Sequence, residues 1–222
     1  MTEQRIVPDP VQPRRLIVMD VDSTLIGQEV IELIAVHAGT QELVANITER
    51  AMAGELDFSQ SLAERVATLK GITVASLGQV RGEITFSPGA PEFVAECQRR
   101  GWEVALVSGG FTEIVSQLAS ELGITLFQAN HLEVADGRLT GRTTGQVVDR
   151  AYKETALRAY AAELGIPMEH TVAIGDGAND LDMIAAAGIG IAFNAKPIVQ
   201  EQAPHAIFDR LDNALAVIDA QN

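Results

Sequence analysis

Apolar positions along the chain follow two rhythms. Arg15-Leu16-Ile17-Val18-Met19 is a short β-type apolar run that stops abruptly at Asp20, as a strand buried on both faces does. The same shape returns in Glu103-Val104-Ala105-Leu106-Val107, which stops at Ser108, and in Thr171-Val172-Ala173-Ile174, which stops at Gly175-Asp176. Each run then turns polar and glycine-rich, and each is followed by apolar residues at helical spacing. Strand, polar turn and helix in repetition predict an α/β, doubly wound, mostly parallel sheet. Ligands of such sheets bind at the carboxyl ends of the strands, which brings Asp20, Ser108 and Asp176 to one edge.

Between Asp22 and about Ser87 the strand rhythm disappears, and helical stretches cover roughly 28–38, 40–53, 57–69 and 74–83. Placed directly after the first strand, they predict a small helical cap over residues 28–86, with 14–27 and 87–222 forming the main core. Pro88-Gly89 marks the return to that core. Asp136-Gly137, between Leu132-Glu133-Val134-Ala135 and Arg138-Leu139-Thr140, predicts a β-hairpin that forms a flap. Residues 1–13, with Pro8, Pro10 and Pro13, predict a flexible arm.

A chain of 222 residues is long enough for one core with a small satellite domain. The formal charge of −14 repels nucleic acids and anionic membranes, and no basic run offsets it. A small anionic substrate is compatible with that charge, because a bound cation and a few basic groups reverse the potential inside one pocket. Cys97 is the single cysteine, which excludes an intrachain disulfide and a thiolate zinc cluster and implies a reducing compartment. With no apolar signal region at the N-terminus and no run as long as a membrane span, the expected location is the cytoplasm. Nothing in the pattern favours a monomer over a homodimer.

Asp20-Val21-Asp22-Ser23-Thr24 puts two carboxylates on one side of an extended segment, where they need a cation or a proton between them. A general metal-binding aspartate fits this segment as well as a phosphoryl acceptor does; a Walker-B reading needs a P-loop, which is missing. Ser108-Gly109-Gly110 offers a hydroxyl and backbone N–H groups at an expected helix start, suited either to phosphate oxygens or to a tight turn. Lys153 stands near the start of a helical pattern over 152–164, where the helix dipole disfavours it. In Gly175-Asp176-Gly177-Ala178-Asn179-Asp180, a metal ligand at Asp176 suits the acidic turn, and Asp180 reads as a ligand or a first-turn helix residue. Arg65 falls inside the stripe of Phe58, Leu62, Val66 and Leu69, so its guanidinium either meets an anion or snorkels out. Glu29 opens the first cap helix, where a carboxylate is also favourable for structural reasons alone. The histidines at 37, 131, 170 and 205 lack metal-ligand spacing, and Cys97 reads as a small core residue.

Asp20-Val21-Asp22-Ser23-Thr24, Ser108-Gly109, Lys153 and the 175–180 segment stand in the order of the four motifs of the haloacid dehalogenase superfamily, which the chain resembles from about Arg15 to about Leu215. Glu29-Val30-Ile31-Glu32, Met52, Leu56-Asp57-Phe58, Ser61-Leu62 and Arg65-Val66 resemble the cap of its phosphoserine phosphatases. That resemblance implies a nucleophile at Asp20, acid/base catalysis by Asp22, and magnesium held by Asp20, the Asp22 carbonyl and Asp176. It implies phosphate contacts from Ser108, Gly109, Lys153 and Asn179, with Asp180 supporting the site. In the cap it assigns Glu29 to an ammonium, Arg65 to a carboxylate, and Met52 and Phe58 to the pocket wall. The implied activity is hydrolysis of O-phospho-L-serine, the last step of L-serine biosynthesis. A phosphotransferase passing phosphate to an alcohol such as homoserine shares the same motifs. A binding protein that kept the fold without turnover should have lost one of these residues, and none is lost. Many relatives carry a regulatory amino-acid-binding domain ahead of the catalytic part, whereas this chain has only its short arm, so feedback by serine through such a domain is not implied.

Overall fold

The computed structural model describes residues 13–52 and 55–221; the arm expected over 1–13 lies, Pro13 aside, outside the described residues. The first apolar run forms β1 (Leu16–Met19), with every side chain sealed from solvent. Alternation divides them: Leu16 and Val18 join one apolar cluster and Ile17 and Met19 the other, so both faces are covered. The sheet also holds β2 (Glu103–Phe111), β3 (Leu126–Ala135), β4 (Arg138–Thr144), β5 (Thr171–Gly175), β6 (Ile189–Phe193) and β7 (His205–Ile207). Its order is β4-β3-β2-β1-β5-β6-β7, and only β3 and β4 pair antiparallel. They form the expected hairpin, in which Asp136 and Gly137 both take positive φ. Strands β2 and β5 flank β1 in register, Ile17 lying opposite both Val104 and Val172.

Among the described residues, the regular elements of the insertion after β1 are all helices: α1 (Val30–Ala38), α2 (Gln41–Met52), α3 (Phe58–Ala67) and α4 (Val74–Glu83). Helix α3 starts where its sequence says it should, with Asp57 and Gln60 forming a reciprocal capping box. Two further contacts tie the insertion down. Its entry and exit run side by side, Gly27 N–H bonding Thr85 O at 3.1 Å and Ser87 N–H bonding Leu25 O at 2.9 Å. At its far end the 71–74 segment pairs with the hairpin: Gly71 N–H to Leu139 O and Leu139 N–H to Ile72 O, both 2.8 Å, and Val74 N–H to Gly137 O at 3.0 Å.

The remaining helices are α5 (Ala90–Arg99), α6 (Thr112–Glu121), α7 (Arg150–Leu164), α8 (Leu181–Ala186), α9 (Pro197–Gln202) and α10 (Ala214–Asp219). Helices α5, α6 and α10 supply side chains to one cluster and α7, α8 and α9 to the other, which gives the doubly wound layering. Cys97 is buried in the first cluster, its thiol pushed up to about 12 by burial, as a core residue. No helix among the described residues is long and apolar enough to cross a membrane.

The backbone beyond two strand ends departs from expectation. The chain after β1 does not stay extended. Ser23 takes φ +55° and Ile26 N–H closes onto Val21 O at 3.0 Å, so residues 21–25 form one wide turn. Nor does a helix begin at Ser108: β2 runs on to Phe111, slipping register against β3 between Val107 and Phe111, and α6 starts at Thr112. The Ser108-Gly109-Gly110 segment is therefore an irregular strand end rather than a helix N-terminus.

Close backbone packing of α8 on β6 depends on Gly190, where a Cβ would lie 2.3 Å from the Ile184 carbonyl oxygen. Gly190→Ala is expected to lower stability by about 1–3 kcal/mol through overpacking, read as a reduced midpoint of urea unfolding; an unchanged midpoint would show that the layer is looser than its geometry.

Candidate active site

Asp20 follows β1 directly, with its backbone N–H bonded to Ile174 O of β5 at 3.0 Å, so the strand pairing that builds the sheet also places this carboxylate. The side chain is 4% exposed; Oδ1 accepts from Val21 N–H at 2.7 Å and Oδ2 meets Lys153 Nζ at 2.8 Å. Burial and the charge of Asp180 push its carboxyl well above the usual range, against Lys153, which pulls it down. Asp22, in the wide turn, has a carboxyl raised to about 8, first by burial and then by Glu29. Its Oδ2 accepts from Val30 N–H at 3.3 Å, while Oδ1 is buried with no hydrogen-bond partner among the described residues.

Lys153 sits one turn into α7 and is completely buried, bridging Asp20 and Asp180, the latter at 2.7 Å. Burial alone would lower its pKa, but the paired charges of Asp180 and Asp20 outweigh it and raise the pKa above the ordinary lysine value. Asp180 uses its other oxygen to accept from Gly177 N–H at 2.9 Å. The turn tolerates this crowding because residue 175 is glycine: a Cβ there would fall 2.3 Å from Asp180 Cγ.

Asp176, just past β5, accepts from Thr24 Oγ1 at 3.1 Å, and its carbonyl accepts from Lys196 N–H at 3.1 Å. Its carboxyl is raised to about 6 by burial, then by Asp180 and Glu29. Carboxylate oxygens of Asp20, Asp176 and Asp180 all lie within 4.8 Å of one another. Like charges held this close, with oxygen donors only, fit a hard divalent cation that relieves their repulsion. The Asp22 carboxylate is outside this group; the expectation for Asp22 concerned its main-chain carbonyl.

Ser108 is fully buried, and its Oγ accepts from Gly110 N–H at 2.8 Å. Gly109 packs against Phe58 of α3, the ring Cζ standing 3.2 Å from where a Cβ would be. Glu29 is the residue just ahead of α1 rather than within its first turn, and accepts from Ser23 Oγ at 2.7 Å. Arg65 on α3 makes no ion pair among the described residues; its Nε bonds Ser61 O at 3.3 Å. Burial lowers the Arg65 pKa, opposed by Glu29, Asp22 and Glu32. Met52 ends α2, and its side chain lies outside the described residues.

A pocket of about 210 Å³ unites these groups: Asp20, Asp22, Gly109, Asp176 and Asn179 on the sheet side face Glu29, Phe58 and Arg65 from the helices. Ser108, Lys153 and Asp180 lie beneath its surface rather than lining it. Gly110 lines the pocket as part of the Ser108-Gly109-Gly110 segment already singled out, and Ile31 stood in a cap motif without a role of its own. Lys196 escaped the sequence reading, although it follows β6, an apolar run ending in polar residues that carries the same strand-end signal as β1 and β5.

Removing the Lys153 charge leaves two buried carboxylates uncompensated. Lys153→Met is expected to lower unfolding free energy by about 3–5 kcal/mol, measured by denaturant titration at neutral pH; full stability would show that the buried ion pair is dispensable to the fold.

A profile of haloacid dehalogenase-like hydrolases matches residues 17–185. A phosphoserine phosphatase of Streptomyces coelicolor is 56% identical over 194 residues, covering 87% of this chain and 47% of that protein. Another, of Streptococcus thermophilus, is 56% identical over 192 residues, covering 86% of this chain and 89% of that protein. The chain thus spans about half the length of the first relative and most of the second. A solved phospho-aspartyl intermediate analogue of phosphoserine phosphatase superposes with a TM-score of 0.87 at 42% identity, covering 93% of this chain and 99% of that one. With matches this extensive on a fold of the same topology, the chain belongs to the phosphoserine phosphatases of the haloacid dehalogenase superfamily.

Proposed function

We propose that this chain is a magnesium-dependent phosphatase that converts O-phospho-L-serine to L-serine and phosphate through an aspartyl-phosphate at Asp20, the last step of L-serine biosynthesis. The observation that carries this reading is the composition of one pocket: phosphoryl-transfer carboxylates on the strand ends face a Glu29 and Arg65 pair of opposite charge from the helices. A phosphate monoester of a zwitterionic amino acid matches both halves. In this reading residues 14–27 and 87–222 are the catalytic core, 28–86 are a cap, and the enzyme works in the cytoplasm.

Asp20 attacks phosphorus, and the bond from phosphorus to the seryl oxygen breaks as Asp22 gives that oxygen a proton. Burial and the charge of Glu29 favour the protonated form of this carboxyl, and Oδ1, without a hydrogen-bond partner among the described residues, is the atom with hydrogen-bonding capacity to spare. Water then attacks phosphorus of the aspartyl-phosphate and passes a proton to Asp22; phosphate leaves and the Asp20 carboxylate is restored. Ser108, Gly109, Asn179 and Lys153 hold phosphate oxygens, Lys153 doing so while anchoring Asp20. Asp20, Asp176 and the Asp22 carbonyl would hold magnesium, with Asp180 supporting them, and the ion supplies positive charge to the transferring phosphoryl group. Glu29 holds the substrate ammonium and Arg65 its carboxylate, with Phe58 and Met52 as the wall.

Phosphate release from a panel of phosphomonoesters, with magnesium or with EDTA, tests the assignment. Phosphoserine is expected to be preferred and EDTA to abolish turnover; no preference for phosphoserine removes the substrate assignment, and undiminished turnover in EDTA removes the metal. Adding an acceptor alcohol should leave free phosphate as the product. Arg65→Ala should cut kcat/KM for phosphoserine about 10- to 100-fold, the worth of a charged hydrogen bond. A phosphomonoester without a carboxylate should be spared, and equal losses on both substrates would count against the Arg65 role.

A further inference from the structure

Asn130, on β3, is 1% exposed and its amide is used in two directions. Nδ2 donates to the Gly109 carbonyl at 2.8 Å, and Oδ1 accepts from Val148 N–H at 2.9 Å. The first bond reaches the pocket wall. Its acceptor belongs to the peptide whose N–H is that of Gly110, and Gly110 N–H donates to Ser108 Oγ at 2.8 Å. Asn130, the 109–110 peptide and Ser108 thus form one directed hydrogen-bond chain. Every member donates toward the next, and the hydroxyl proton of Ser108 is its terminus. Such chains polarise cooperatively, so a donor at the base strengthens the donor at the tip.

The second bond reaches the other phosphate element. Val148 directly precedes Asp149, whose carboxylate caps α7 by accepting from Tyr152 N–H at 2.8 Å, and α7 carries Lys153. One buried amide therefore ties the irregular end of β2 to the entry of the helix that delivers the lysine. The task needs a donor and an acceptor on one short planar group. Aspartate lacks the donor and would set its charge against the Gly109 carbonyl; leucine lacks both.

We infer that Asn130 is a positioning residue for the transferred phosphate, acting through the Gly109–Gly110 peptide on Ser108 and through Val148 on the α7 entry. This rests on the reading of Ser108, Gly109 and Lys153 as the phosphate-holding groups. Asn130 touches neither substrate nor the reacting atoms. Its hydrogen bonds go to the phosphate half of the pocket, whereas Glu29 and Arg65 are carried by the helical insertion, to which it makes none among the described residues.

Inhibition of the enzyme by its two products separates the halves of the pocket. In Asn130→Asp and Asn130→Leu, inorganic phosphate is expected to inhibit at least about tenfold more weakly, while inhibition by L-serine stays within about twofold. Unchanged phosphate inhibition overturns the inference, as does equal weakening of both products, which is what general loosening produces. Should neither variant fold, the wild-type protein gives the answer by NMR. The Asn130 side-chain amide protons are expected to shift on saturation with phosphate and to stay in place with serine, and immobile signals at saturation overturn the inference. Wild-type enzyme that neither turns over phosphoserine nor responds to phosphate overturns the functional reading itself, and the inference with it.

Discussion

A lysine with no exposure at all, bridging Asp20 and Asp180, conditions everything else at this sheet edge. Taking ions out of water costs several kcal/mol each, and their attraction offsets this only when the geometry is close and the remaining lone pairs are satisfied. Both conditions are met by the fold. Asp20 is held by a β5 hydrogen bond and by Val21 N–H, Asp180 by Gly177 N–H, and Lys153 by a helix capped at Asp149. The three charges come from β1, from the turn after β5 and from α7, so the layers meet in register only where the ion pairs form. The interaction that would serve the reaction is thereby also a condition of correct packing.

The pocket above this triad is divided by charge. Its floor gathers carboxylates whose pKa values are all raised by burial before any other cause, an arrangement costly to keep without cationic partners. Its roof carries one acid and one base from the insertion, Glu29 just ahead of α1 and Arg65 on α3. A chain of net charge −14 can accept an anionic ligand here because three of its 16 Lys and Arg residues, Lys153, Arg65 and Lys196, gather around one cavity.

Much of this was readable from the chain itself, for local reasons. Asp20, Ser108 and Asp176 each end a continuous apolar run, and a strand end is a local pattern. Arg65 stood out because a charge inside an apolar stripe is a local contradiction. What escaped the sequence had non-local causes. Asn130 looks like an ordinary polar position in a hairpin strand, and its role is set by partners 21 and 18 residues away. Lys196 was announced by the run Ile189-Gly190-Ile191-Ala192-Phe193, a strand the reading passed over because two glycines nearby blur its apolar rhythm. The wide turn at 21–25 depends on Ser23 taking a left-handed conformation that its residue type does not signal. The irregular end of β2 likewise follows from the hydrogen bonds of Ser108 and Asn130, not from propensity.

The helical insertion is fastened twice, where its entry and exit segments pair and again where residues 71–74 lie against the hairpin. A flap hinged along one side swings open at the cost of that side alone, but a beam clamped at both ends has no such motion. Separation of these helices from the sheet must either undo backbone pairing along the hairpin or carry the hairpin along, and β3, its inner strand, also bears Asn130. Whatever bends the outer margin of the sheet therefore pulls, through one amide, on the peptide that lines the phosphate side of the cavity.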